Sequence, residues 1–83
     1  MVGGELGAPP DPTTIPAVNV ILNGTPRTLE QVRTVSDLLR RIGKDAVPCA
    51  VEVNQALVSH RERDGHELHE GDRVEVVTLV GGG

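Results

Sequence analysis

Val18-Asn19-Val20-Ile21-Leu22-Asn23-Gly24 is the stretch on which the reading of the fold turns. Its first five residues are β-branched and mostly apolar, which suits a strand packed on a core. Asn23-Gly24 then gives the strongest short-range hairpin signal, because both central positions of the tight turn require positive φ. Thr25 to Val32 is predicted to return as the second strand. Pro26 falls near its start or edge, where a missing N–H is tolerated.

Beyond the hairpin the period changes. Thr34-Val35-Ser36-Asp37 reads as a helix start. Thr34 can accept from a free backbone N–H, and Asp37 stands three residues on, an acidic form of the capping box. Val35, Leu38, Leu39 and Ile42 share one face at helical spacing. Arg40, Arg41 and Lys44 lie toward the negative end of the helix dipole. Gly43 is the expected stop, so the helix has only about two turns.

After Pro48 the alternation is again two residues. Val51 and Val53 alternate with Glu52 and Asn54, a strand with one buried face. Leu57-Val58 fits a short further strand. Ser59 to Gly71 is polar, with Gly65 and Glu70-Gly71-Asp72 as turn signals, and is predicted to be an exposed loop. Arg73 to Val80 is the expected last strand, with Val74 and Val76 on one face and Glu75, Val77 and Leu79 on the other. The order ββαβ(β)β predicts an α+β fold of the β-grasp, ubiquitin-like kind. In it a mixed sheet of four or five strands packs on one helix, with the last strand central beside the first.

The flanks differ from this middle. Residues 1–16 contain three Gly and four Pro and few large apolar side chains. They cannot bury enough surface to offset the entropy of ordering, so a disordered leader is expected there, with the folded domain over residues 17–83. The chain ends Val80-Gly81-Gly82-Gly83, where Gly81–Gly83 form a flexible tail after the last strand.

The totals exclude several classes of function. Eighty-three residues allow one domain with a thin core, poor material for a walled catalytic pocket. The absence of aromatic residues removes the stacking platforms of single-strand nucleic-acid binding, and a net charge of −4 is the wrong sign for phosphate backbones. Cys49 is the single cysteine, so no internal disulfide can form and a cytoplasmic protein is expected. No apolar run approaches a membrane span, and the N-terminus lacks a signal-peptide pattern.

The segments Ala50 to Ser59 (AVEVNQALVS) and Leu68 to Gly83 (LHEGDRVEVVTLVGGG) strongly resemble the ThiS family, the sulfur carriers of thiamin thiazole synthesis. The resemblance covers roughly residues 18–83. It includes the Leu22-Asn23-Gly24 turn and the helix start at Thr34, Val35, Leu38 and Leu39. Two features depart from the family: Gln55 stands where an Asn-Gly turn often has Gly, and the proline-rich leader is longer than usual.

The resemblance implies a carrier with no catalytic side chain, no bound cofactor and no metal. An E1-like adenylyltransferase of the ThiF type would use ATP to activate the Gly83 carboxylate. Sulfur from a donor such as a cysteine desulfurase would convert it to a thiocarboxylate, and a thiazole synthase of the ThiG type would receive the sulfur. A free carboxylate is a poor electrophile, and joining it to AMP splits a hard substitution into easier steps. Glycine at Gly81 and Gly82 lets the tail thread a narrow partner site. Val77, Leu79 and Val80 are the candidate partner surface. For Val77 and Leu79 the residues leave docking and core packing both open. Related carriers serving molybdopterin, cysteine or tRNA thiolation, and a non-covalent interaction module, are the competing readings.

Other candidates are weaker. His60, His66 and His69 with Asp64, Glu67 and Glu70 resemble a ligand cluster, but a solvated loop explains them better than a metal. Cys49 has no base placed beside it by any motif and reads as a small buried residue. Arg40, Arg41 and Lys44 read as a solvated helix end.

Overall fold

The computed structural model describes residues 17–79 of the 83. The expected leader, residues 1–16, and the end Val80-Gly81-Gly82-Gly83 lie outside the described residues. Five strands and one helix follow in chain order: β1 (Ala17–Leu22), β2 (Thr25–Glu30), α1 (Val35–Arg41), β3 (Cys49–Val53), β4 (Ala56–Val58) and β5 (Arg73–Thr78). The sheet order is β2-β1-β5-β3-β4. β1 and β5 run parallel, and the other neighbours are antiparallel. The last strand is therefore central beside the first, the β-grasp arrangement.

Local chemistry accounts for most element limits. Asn23 and Gly24 take φ values of 50° and 83°, the positive pair a type I′ hairpin needs. β2 ends at Glu30 and not at Val32 as the pattern suggested. Gln31 turns the chain at φ 64°, which sends Val32 down into the core.

The short helix is held at both ends. Asp37 Oδ2 accepts from the backbone N–H groups of Arg33 (3.0 Å) and Thr34 (3.1 Å), while Asp37 N–H donates to Thr34 Oγ1 at 3.2 Å. These bonds, the one from Arg33 foremost and then those from Thr34 and Arg40, hold the Asp37 carboxyl below its ordinary pKa, against a smaller opposing effect of burial. At the other end Gly43 takes φ 76°, Lys44 N–H donates to Leu39 O at 2.7 Å, and Gly43 N–H donates to Arg40 O at 3.2 Å. That is a Schellman stop, which only a residue tolerant of the left-handed region completes cheaply.

The segment after β4 differs from expectation. Ser59 to Gly71 is not a free solvated loop: it forms a 3-10 turn over His60–Glu62 and buries Leu68. It also supplies partners to the helix start. Val35 N–H donates to His66 O at 3.0 Å and Ser36 N–H to Arg63 O at 3.1 Å, while Leu68 N–H reaches Arg33 O at 2.9 Å. With Asp37 on Thr34 Oγ1 and Leu38 on Thr34 O, the first four helical N–H groups all have acceptors. Polarity alone marked this segment as loop, because its anchoring is done by backbone groups that any residue carries.

The core is aliphatic throughout. Val35 and Leu38 of the helix face Val20, Val51 and Val74 of the sheet, all at 2% exposure or less. Removing that apolar surface from water is the main force holding helix to sheet.

Candidate functional site

The site is built on β5, the strand that precedes the glycine end. Its start is placed by the Glu70-Gly71-Asp72 turn. Glu70 receives Asn19 N–H on Oε1 (2.7 Å) and Asn19 Nδ2 on Oε2 (2.9 Å), and Gly71 N–H donates to Asn19 O at 2.8 Å. The Asn19 bonds, side chain first, hold the Glu70 carboxyl below its ordinary pKa. Asp72 O then accepts Ile21 N–H at 2.9 Å, which sets the parallel register Ile21↔Arg73.

The β1 partner ends at the next pair, Leu22↔Val74. The hairpin turn itself supplies the next rung. Val76 N–H donates to Asn23 Oδ1 at 2.9 Å, and Asn23 Nδ2 donates to Val76 O at 3.3 Å. On its other side β5 is paired along its length with β3, from Val53↔Val74 to Cys49↔Thr78. The last strand was expected to reach Val80 but ends at Thr78; Leu79 still donates its N–H to Pro48 O at 2.9 Å. The strand that precedes Val80-Gly81-Gly82-Gly83 in the sequence thus holds a central position in the sheet.

Two faces follow from the pleat. Val74 and Val76 point into the core; Arg73, Glu75 and Val77 point to the open face. Val77 is 57% and Leu79 53% exposed, so both are surface residues beside the root of the tail. Val80, named with them from the sequence, lies outside the described residues. Across β5 the open face continues through Ala50 and Glu52 of β3 to Leu57 of β4, which is 68% exposed. Sequence patterning placed Glu52, Glu75 and Leu57 on polar or edge positions but could not bring them together, because their juxtaposition depends on register across three strands.

The remaining candidates separate. Cys49 is buried, and the NH2 group of Arg63 donates to its carbonyl oxygen at 2.6 Å. The sequence carried no signal for that clamp. Among the described residues no three His, Cys, Asp or Glu side chains stand close enough to hold a metal ion. His69 stands 4.0 Å from Asp72 and Ser36 Oγ donates to Asp64. Arg40 is paired with Asp37 at 2.6 Å.

A strand placed centrally by an Asn-Gly turn and a Glu-Gly-Asp turn, running toward a terminal glycine run, matches one known family. The profile of the ThiS family fits residues 20–83. The chain belongs to the ThiS family. This is a sulfur-carrier family of thiamin biosynthesis. The chain is 39% identical over 64 residues to the sulfur carrier protein ThiS of Thermus thermophilus, covering 77% of this chain and 98% of that protein. It resembles the crystal structure of the thiamine biosynthesis protein ThiS from Geobacter metallireducens, with TM-score 0.66 and 28% identity over 80% of this chain and all of that one. It is also 38% identical over 66 residues to a thiazole synthase of Magnetococcus marinus, covering 80% of this chain. The chain spans about a fifth of the length of the two thiazole synthases it matches. At Gln55, where the family often has Gly, this ThiS-family chain keeps the positive-φ turn, at 71°.

Proposed function

We propose that this ThiS-family protein carries sulfur on its C-terminal glycine and delivers it for thiazole synthesis. The observation that carries the reading is the family match running through Gly83, on a chain whose central strand leads into that end. In the first step the Gly83 carboxylate attacks the α-phosphorus of ATP on an E1-like adenylyltransferase, and pyrophosphate leaves. A sulfur nucleophile, delivered as a persulfide by a donor such as a cysteine desulfurase, then attacks the acyl carbon, and AMP leaves. A second thiol then attacks the donor's sulfur and forms a disulfide with it, and the Gly83 thiocarboxylate leaves. Adenylation replaces a poor leaving group, oxide, by a good one, AMP, which the sulfur nucleophile then displaces. The carrier supplies no acid, base or cofactor; ATP belongs to the partner's site.

Thiazole synthase is the acceptor this reading favours. Two proteins of that name contain a region similar to this chain, which supports a working contact between carrier and synthase. The fold suits the division of labour. A central strand precedes Gly81, Gly82 and Gly83 in the sequence, and three residues of chain, if extended in a partner's site, would span on the order of 10 Å. Val77 and Leu79 form an exposed apolar edge at the end of β5, and they are proposed to meet the partner together with Val80, the next residue in the sequence. A cytoplasmic location goes with these partners.

The test is intact mass after incubation with ATP, the adenylyltransferase and a sulfur source. The expected product is heavier by one sulfur-for-oxygen exchange, and its absence would sink the reading. Deletion of Gly83 is expected to abolish the mass change with the denaturation midpoint unaltered.

A further inference from the structure

Glu52 and Glu75 are direct cross-strand partners on β3 and β5, both exposed on the open face. Side chains so placed have Cβ atoms about 5 Å apart, and like charges directly opposite destabilise a sheet. Among the described residues no Lys or Arg side chain lies within 4.0 Å of either carboxylate. The Arg–carboxylate pair there is Asp37–Arg40, and Arg73, two residues along on the same face, pairs with neither glutamate. The fold gains nothing from this arrangement, since both positions face away from the core.

On the tail side and across β4 the surroundings are apolar, while Arg73 flanks Glu75 on the side away from the tail. The next pair toward the tail is Ala50↔Val77, and the neighbour of Glu52 across β4 is Leu57. The patch is therefore two carboxylates bordered on those two sides by Val77, Ala50 and Leu57, with Leu79 toward the tail. The geometry points to this acidic pair as the receptor for an arginine side chain on the protein partner, set among apolar residues of that partner. A guanidinium offers five donors in a planar fork, enough to bridge two carboxylates, and its weak hydration suits a rim that excludes water. It would cancel the repulsion between the glutamates while the partner covers Val77 and Leu57.

Other occupants fit less well. A second copy docked face to face would bring two further carboxylates to the same interface, because a two-fold interface uses the same patch on both copies. Residues 1–16 contain Glu5 and Asp11 and no Lys or Arg, so they bring no side-chain cation to the patch.

The inference rests on the sulfur-carrier reading for its choice of partners. The experiment compares the full-length protein, with its C-terminus untagged, with the Glu52→Gln/Glu75→Gln double variant. One arm measures kcat and KM for the carrier in adenylation by an E1-like adenylyltransferase at low and high salt. The other measures the Kd for thiazole synthase. The double variant is expected to raise KM, Kd or both by about tenfold or more, with kcat within about twofold and a flatter salt dependence. Its denaturation midpoint should equal or exceed that of the wild type, since a repulsion has been removed. Unchanged KM and Kd overturn the inference. They do so equally if the variant self-associates, which would show that the charges serve only to keep copies apart. A wild-type protein that binds its partners but gains no sulfur fails the sulfur-carrier reading instead and leaves the docking measurement standing.

Discussion

At the residue scale, positive φ is the best-defined demand in this chain. Asn23, Gln31, Asn54 and Gln55 are the non-glycine residues that meet it among the described residues. Asn is tolerant of that region, and both asparagines are further occupied by bonds to β5 or its approach. Asn54 Nδ2 donates to Asp72 at 3.0 Å, and Arg73 N–H donates to Asn54 Oδ1 at 2.9 Å. Gln55 has no such compensation in its hairpin, and an L-residue in the left-handed region is disfavoured by about 1–2 kcal/mol. Glycine recovers that strain but loses more entropy on folding, by about 0.5–1 kcal/mol. Gln55→Gly is therefore expected to stabilise the protein by roughly 0.5–1 kcal/mol, seen as a higher urea midpoint at unchanged slope. The Asn23-Gly24 turn was legible because its two residue types encode the dihedrals. The Gln55 turn was legible only by its place between alternating runs.

At the element scale, β5 is the piece that matters for function, and its rungs come from three sources. β3 pairs with it from Val74 to Thr78, β1 at its first two residues, and asparagine side chains at its two remaining points, Asn54 at Arg73 and Asn23 at Val76. Asn23→Gly keeps the turn dihedrals and removes only the rung at Val76. It leaves the part-buried N–H and C=O of Val76 without their amide partner, and the loss is expected to be about 1–2 kcal/mol. Hydrogen exchange at Val76 should accelerate by more than the global change predicts, since the rung is local. Equal exchange in both proteins would show that β3 alone holds the strand. The helix, by contrast, was readable almost to the residue. Thr34, Asp37 and Gly43 act on their own near neighbours, and caps of this kind are local chemistry. The strap from Ser59 to Gly71 was not readable, because its bonds run from main-chain carbonyls of His66 and Arg63 to a helix some thirty residues earlier.

For the molecule as a whole, acid stability follows from three carboxylates held below their ordinary pKa: Asp37 by bonds from Arg33, Thr34 and Arg40, Glu70 by bonds from Asn19, and Glu62 by bonds from Ser59. A depressed folded pKa means that the unfolded chain binds more protons as pH falls. The stabilisation is therefore complete above the unfolded values, near pH 4–4.5, and is lost as pH drops through the lower folded ones. The urea midpoint is expected to be flat at neutral pH and to decline below about pH 5. Asp37→Asn, which keeps the side chain's shape but not its charge, should flatten part of that decline. A midpoint that rises on acidification would contradict the assignment.

By itself the sequence determined the hairpin at Asn23-Gly24, the limits and buried face of the helix, the alternation of β3 and β5 and the presence of a glycine end. Each is a consequence of dihedral preference or of a period of two or 3.6 residues, and so of residues close together in the chain. Only the tertiary structure decided which exposed residues meet. Asn23 and Val76 are 53 positions apart, and Glu52 reaches Glu75 through one choice of register among several that the same alternation permits. Register is selected by burying every valine of the inner face at once. The surface proposed to meet a partner is thus fixed by the packing of the opposite side of the sheet.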